Sequence, residues 1–224
     1  MNEHAPYIDI HTHGPAMQGV RSVRHVSLSE IDSFNTTDGQ LLSVGLHPWN
    51  LRGNEDLKLV REHLTFALGY PYVAALGETG LDKAIDMPLG HQEVVFRIHA
   101  ELSESSGKPL VIHCVRAFQE ILGIRKQMKA SRPWIFHGFS GSAQLARQCL
   151  DAGCLLSFGS AILKESNRAL HSLLHIGMDD FFLETDDVRV RIEEIYERAA
   201  RVKQTEPEVL RARMFERFTN LFGV

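Results

Sequence analysis

The chain has 224 residues and a mass of 25.2 kDa, with 44% hydrophobic and 23% charged residues, the balance of an ordinary globular protein. That balance excludes a disordered chain, and 17 glycines with 8 prolines exclude a collagen-like or low-complexity one. A net charge of −4 and a pI near 6.3 exclude a basic nucleic-acid clamp.

The chain alternates short apolar runs with helix-length segments. Strand-like runs fall at residues 7–10, 22–26 (the weakest), 41–46, 72–76, 110–112, 134–136, 155–158 and 181–183. Helical patterns occupy 54–68, 89–105, 117–129, 142–152 and 165–174, and two more, 189–202 and 207–221, follow the last strand. Asn54 and Asp56 suit a helix N-terminus. Gly69, Gly107, Gly153 and Gly177 stand just past helix ends, where a left-handed residue closes the last turn. Pro71, Pro109 and Pro133 then open strands.

Repeated strand–helix alternation predicts parallel βαβ units and an α/β class. Eight strands predict a (β/α)8 TIM-like barrel, a single domain over residues 1–224. The segments 13–22 and 27–40 are short and rich in Gly, Ser, Asn and Thr, too short for comfortable crossovers. The barrel is therefore expected to be distorted, with the helices after its first two strands missing or rudimentary. No G-x-G-x-x-G follows a strand to favour an open doubly wound sheet.

The N-terminal residues 1–6 lack a secretory pattern. The longest apolar candidate, 154–163, is interrupted by Ser157, Gly159 and Ser160, so no membrane span is expected. Cys114, Cys149 and Cys154 form no C-x-x-C pair. These features predict a cytoplasmic protein with reduced thiols and no disulfide-linked partner.

The most informative pattern is positional. Asp9-Ile10-His11-Thr12-His13 places two imidazoles two residues apart at the end of the first strand, on one face. Glu78, His113, His137 and Asp186 each lie within about three positions of a later strand end, the edge at which α/β barrels build active sites. Four imidazoles and two carboxylates form a donor set for Zn, Mn, Fe or Ni. Two divalent ions outweigh the two carboxylates, which lets an acidic protein attract a phosphate ester. Such ions also generate hydroxide near neutral pH and stabilise attacking and leaving oxygens.

The ordered motifs resemble those of the TatD family of metal-dependent hydrolases. Asp9 to His13 resembles the opening D-x-H-x-H, Gly45-Leu46-His47-Pro48 resembles G-x-H-P, and Gly77 to Asp82 resembles G-E-x-G-L-D. The segments 109–113, 137–142 and 183–186 match the next three signatures, and Asn220-Leu221-Phe222-Gly223 resembles the usual C-terminus. The resemblance implies a TIM barrel and deoxyribonuclease-type activity. It implies that His11, His13 and Asp186 hold one metal, that His113 and His137 hold a second, and that Glu78 bridges. The sequence departs from the family pattern at Asp187-Val188, at Lys83 after G-L-D, and at Arg116, three residues past His113.

The expected function is hydrolysis of phosphodiester bonds by hydroxide generated at two divalent ions (Zn, Mg, Mn, Fe or Ni), with Asp186 and Glu78 as catalytic residues. A nucleic acid or other phosphodiester would bind through the metals, with His47, Arg116 and Lys83 as substrate contacts. Lys164 and Arg52 are further phosphate candidates, Asp82 is expected to orient a ligand, and Trp49 either stacks a base or packs at the rim. The rival readings are an amidohydrolase acting on cyclic amides or lactones, a phosphoesterase with a trinuclear centre, and a degenerate metal-binding scaffold.

Overall fold

A computed structural model of the chain describes residues 5–31 and 40–224. The chain divides into two compact units, Met1–Arg24 with His137–Val224, and His25–Phe136. Every recorded strand pairing is parallel, and strand order follows chain order from β1 to β8. That is the topology of the (β/α)8 class.

In the first unit, β1 (Tyr7–Thr12) pairs with the start of β2 (Val20–Ser27), Tyr7 opposite Val20 and Thr12 opposite Arg24. β7 (Cys154–Phe158) pairs with β8 (Phe181–Leu183), and a bridge from Thr12 to Asp186 sets the chain after β8 against β1. The strands are buried on both faces: Ile8 and Ile10 alternate with Asp9 and His11, all at most 4% exposed, as parallel strands require. Helices α4 (Ala143–Asp151), α5 (Arg168–Leu174), α6 (Ile192–Lys203) and α7 (Pro207–Phe222) complete this unit. Tyr196 of α6 ties itself to β1, its hydroxyl 3.1 Å from both the amide and the carbonyl of Ile8.

In the second unit, β3 (Leu41–Gly45), β4 (Val73–Asp82), β5 (Leu110–Val115) and β6 (Trp134–Phe136) pair in that order. Helices α1 (Leu57–Ala67), α2 (Leu89–Ser106) and α3 (Phe118–Met128) connect them. Phe96 of α2 packs edge-on against Trp134 at 5.3 Å, and the Arg125 guanidinium lies 5.0 Å from the indole centroid.

Local chemistry sets the ends. Asp56 caps α1 by accepting from the amides of Lys58 and Leu59, whereas Asn54 lies outside the helix. Gly107 closes α2 with φ 76°, and Gly153 follows α4 with the same φ. Gly177 lacks a positive φ; its amide instead donates to Asp180.

The connection between β1 and β2 carries no helix, as expected. The rudimentary helix expected after the second strand falls largely on residues 32–39, outside the described residues.

β4 departs from the sequence expectation. It runs to Asp82, so Glu78 stands within the strand and not after it. Glycine explains this: a Cβ at Gly77 would lie 2.3 Å from the Val111 carbonyl oxygen, and one at Gly80 1.9 Å from that of His113. The bare backbone lets β4 continue against β5 through a register shift between Leu76 and Thr79. Among the described residues no helix is long and apolar enough to cross a membrane, and none of the three cysteines is in a disulfide.

Candidate metal centre

Each unit gathers imidazole and carboxylate side chains in the C-terminal halves of strands or just beyond them. In the first, His11, His137 and Asp186 each offer a donor atom, and these atoms lie within 4.8 Å of one another. His11 Nε2 and His13 Nε2 each stand 3.5 Å from Asp186 Oδ1. His11 is fully buried, and His13 is exposed.

The backbone holds this group in place. The Asp186 amide donates to the His11 carbonyl, and the His13 amide donates to the Asp186 carbonyl, both at 3.0 Å. Asp186 itself has φ 55°, a conformation that Asp adopts more readily than most residues. Asp9, one strand repeat before His11, clamps the same corner: its oxygens accept from the Thr185 amide at 2.9 Å and the Thr185 hydroxyl at 2.6 Å. Burial pushes the Asp9 carboxyl up to about 7, against the lowering effect of both Thr185 bonds. Behind His137, fully buried Glu184 lies 3.6 Å from Nδ1 and accepts from the Gly138 amide and the Ser157 hydroxyl.

In the second unit the donors are His47, Glu78 and His113, again within 4.8 Å. His47 Nε2 and His113 Nδ1 each lie 3.0 Å from Glu78 Oε1. His113 Nε2 lies 3.0 Å from Asp82 Oδ2, the carboxylate–histidine arrangement typical behind a metal-bound ring. Asp82 is 2% exposed. Burial pushes its carboxyl up, but hydrogen bonds from Trp49, His113 and Ala84 outweigh this and hold it below the usual range.

His47 caps the short 3-10 turn Pro48–Asn50, its Nδ1 accepting from the Trp49 amide at 3.1 Å. A neutral ring that accepts at Nδ1 carries its proton on Nε2. His47 is therefore a donor toward Glu78, whereas His113 turns a ring nitrogen toward the same oxygen and gives its other one to Asp82.

The donor spacing can be tested against metal geometry. Bonds of about 2.0–2.2 Å to nitrogen and oxygen give a tetrahedral edge of about 3.4 Å. The 3.5 Å separations from Asp186 to His11 and His13 match that edge, and the mixed imidazole–carboxylate chemistry suits a borderline divalent ion. The residues fit the group.

Other candidates stand apart from these clusters. Lys83 is ion-paired with Glu120, and Arg116 is exposed in the loop after β5 with φ 55°. Beside Asp186 a cavity of about 390 Å3 is lined by His13, Met17, Val188, Arg189 and Ile192 among others, which gives the altered Asp187-Val188 segment a place at the site.

Three supporting residues are not singled out by the sequence. Gln92 of α2, 1% exposed, accepts from the Asp82 amide at 2.7 Å and donates to its carbonyl at 3.0 Å. His25 Nδ1 accepts from the Glu78 amide at 2.8 Å. Glu184 sits within a recognised motif, but only its contacts reveal what it supports.

The (β/α)8 topology and the imidazole–carboxylate clusters together define a barrel with a candidate metal site at the edge where this fold builds its active sites. The chain belongs to the TatD-related DNase family, whose model matches residues 21–223. It is 32% identical over 151 residues to a Mycobacterium tuberculosis protein named as an uncharacterized metal-dependent hydrolase, TatD, covering 64% of this chain and 56% of that one. It is 32% identical over 149 residues to the uncharacterized metal-dependent hydrolase YabD of Bacillus subtilis, covering 64% and 57%. The matches thus span little more than half the length of these relatives. The crystal structure of YjjV, a TatD homolog from Escherichia coli, superposes with a TM-score of 0.84 at 19% identity, over 99% of both chains.

Proposed function

We propose that the chain is a divalent-metal-dependent phosphodiesterase of the deoxyribonuclease type. The observation that carries this reading is the pair of clusters His11–His137–Asp186 and His47–Glu78–His113; the family's description as a DNase supports the choice of phosphodiester. His11, His13 and Asp186 would hold one divalent ion and His113 and His137 a second, with Glu78 serving both. Bound divalent ions supply Lewis acidity and lower the pKa of water to near neutrality.

The side chains do the rest. Asp186, fixed at its backbone by β1, orients the attacking water and receives its proton. His47, with its proton on Nε2, donates to a non-bridging phosphate oxygen. Asp82 keeps the His113 ring in one orientation, and Glu184 does the same for His137. Arg116, once Lys83 is engaged by Glu120, is the freer cation for a second phosphate.

The test is hydrolysis of single-stranded oligonucleotides and bis-p-nitrophenyl phosphate by purified protein supplied with Mg2+, Mn2+ or Zn2+, beside lactone and hydantoin substrates. Metal-dependent cleavage of a phosphodiester, abolished by EDTA, is expected. Cleavage of lactones or hydantoins in preference to phosphodiesters, or no cleavage of any phosphoester, overturns the proposal.

A further inference from the structure

The chain has two tryptophans in opposite environments. Trp134 is fully buried, while Trp49 is 67% exposed. Exposure of so large an apolar ring is unfavourable in water. Trp49 is nevertheless held in one orientation: its Nε1–H donates to Asp82 Oδ2 at 2.8 Å. Asp82 is in turn anchored by Gln92 through both its amide and its carbonyl. The ring meets His47 edge-on at 5.1 Å and His113 at 5.9 Å. A flat π-surface is thus pinned beside the candidate ligands, with its edge fixed and much of its surface open to solvent.

We infer that Trp49 is a specificity-determining residue whose indole face stacks a nucleobase of the phosphodiester substrate while its N–H positions Asp82. This rests on the phosphodiesterase reading and adds a base-binding position to it: Trp49, against the base next to the scissile bond. Two observations favour a base over a bare phosphate. The open surface is aromatic and uncharged. Its only hydrogen-bonding atom is already engaged by Asp82. Base–aromatic stacking also tolerates any base, because every base has a π-face. The same side chain links binding to the metal cluster, since Trp49, Asp82 and His113 form one hydrogen-bonded series.

The two tryptophans make the test direct. The protein, loaded with Mg2+, is titrated with thymidine 5′-monophosphate, deoxyribose 5-phosphate and inorganic phosphate while tryptophan emission is followed. The nucleotide should quench the exposed, red-shifted component, and the two base-free probes should not. The Trp49→Phe protein, emitting from Trp134 alone, should show no such quenching. Equal quenching by all three probes, or unchanged quenching in Trp49→Phe, overturns the inference.

A kinetic arm compares oligonucleotides bearing a base or an abasic residue at the cleaved end. Trp49→Ala should lower the preference in kcat/KM for the base-bearing substrate about tenfold or more, and Trp49→Phe should keep most of it. An unchanged preference in Trp49→Ala overturns the stacking role and leaves the hydrolase reading intact. Absence of all hydrolysis defeats the hydrolase reading, and the fluorescence arm then judges stacking alone. If Trp49→Ala does not fold, the Phe variant and the fluorescence arm still decide.

Discussion

Asp186 shows how a single residue can be built for a charge. Its backbone is bonded to β1 on both sides and sits at φ 55°, so replacing it with Asn keeps the fold-determining contacts and a tolerated conformation. Asp186→Asn should fold with unchanged circular dichroism and lose about 10²- to 10⁴-fold in kcat; wild-type turnover would refute its role. His99 of α2 offers a cleaner electrostatic prediction away from the metal ligands. It is fully buried, accepts from the Leu46 amide at 3.1 Å, and points Nδ1 at the Val95 carbonyl. Burial lowers its pKa from 6.5 to about 4, against the raising effect of the Val95 bond. The unfolded state therefore binds a proton that the folded state refuses between those values. Its contribution is complete above pH 6.5 and shrinks as pH falls to about 4, by about 3 kcal/mol. Urea midpoints measured at pH 7 and pH 5 should differ more in the wild type than in His99→Gln.

At the scale of elements, periodicity and punctuation made most of the architecture legible. The apolar runs 134–136 and 181–183 coincide with β6 and β8, because a short apolar run between helical patterns has few other conformations open to it. β4 was less legible. Its polar and glycine-rich second half looks like a loop, and only the close approach of β5 shows why glycine sustains a strand there. Gly80→Ala should therefore cost about 3 kcal/mol, seen as a lower urea midpoint, and it should disturb His113, whose carbonyl oxygen meets the new methyl group. Asp56 is a milder case: it satisfies two otherwise orphaned amides of α1, so Asp56→Ala should cost about 1 kcal/mol with activity retained. The ligand types were legible from their places near strand ends, except that Glu78 stands inside β4. Their supports, Gln92, His25 and Glu184, were not, because they act through contacts rather than through a local pattern. Gln92 reaches back ten residues to Asp82, and His25 meets Glu78 53 residues away.

For the whole molecule, bound divalent ions would reconcile the negative net charge of −4 with the proposed phosphate substrate. A protein that relies on metal for its positive charge should gain stability on loading, because ions that bind only the folded state shift the equilibrium by mass action. Removing them with EDTA should lower Tm, and adding Mn2+ or Zn2+ in excess should restore it. The central proposal is that His11, His13, Glu78, His113, His137 and Asp186 hold two divalent ions, Glu78 serving both. Elemental analysis of the purified chain beside Glu78→Ala tests it most directly. Two ions per wild-type chain, with the variant losing them, is the predicted result; a chain that holds none, or a Glu78→Ala variant with undiminished occupancy, would contradict it.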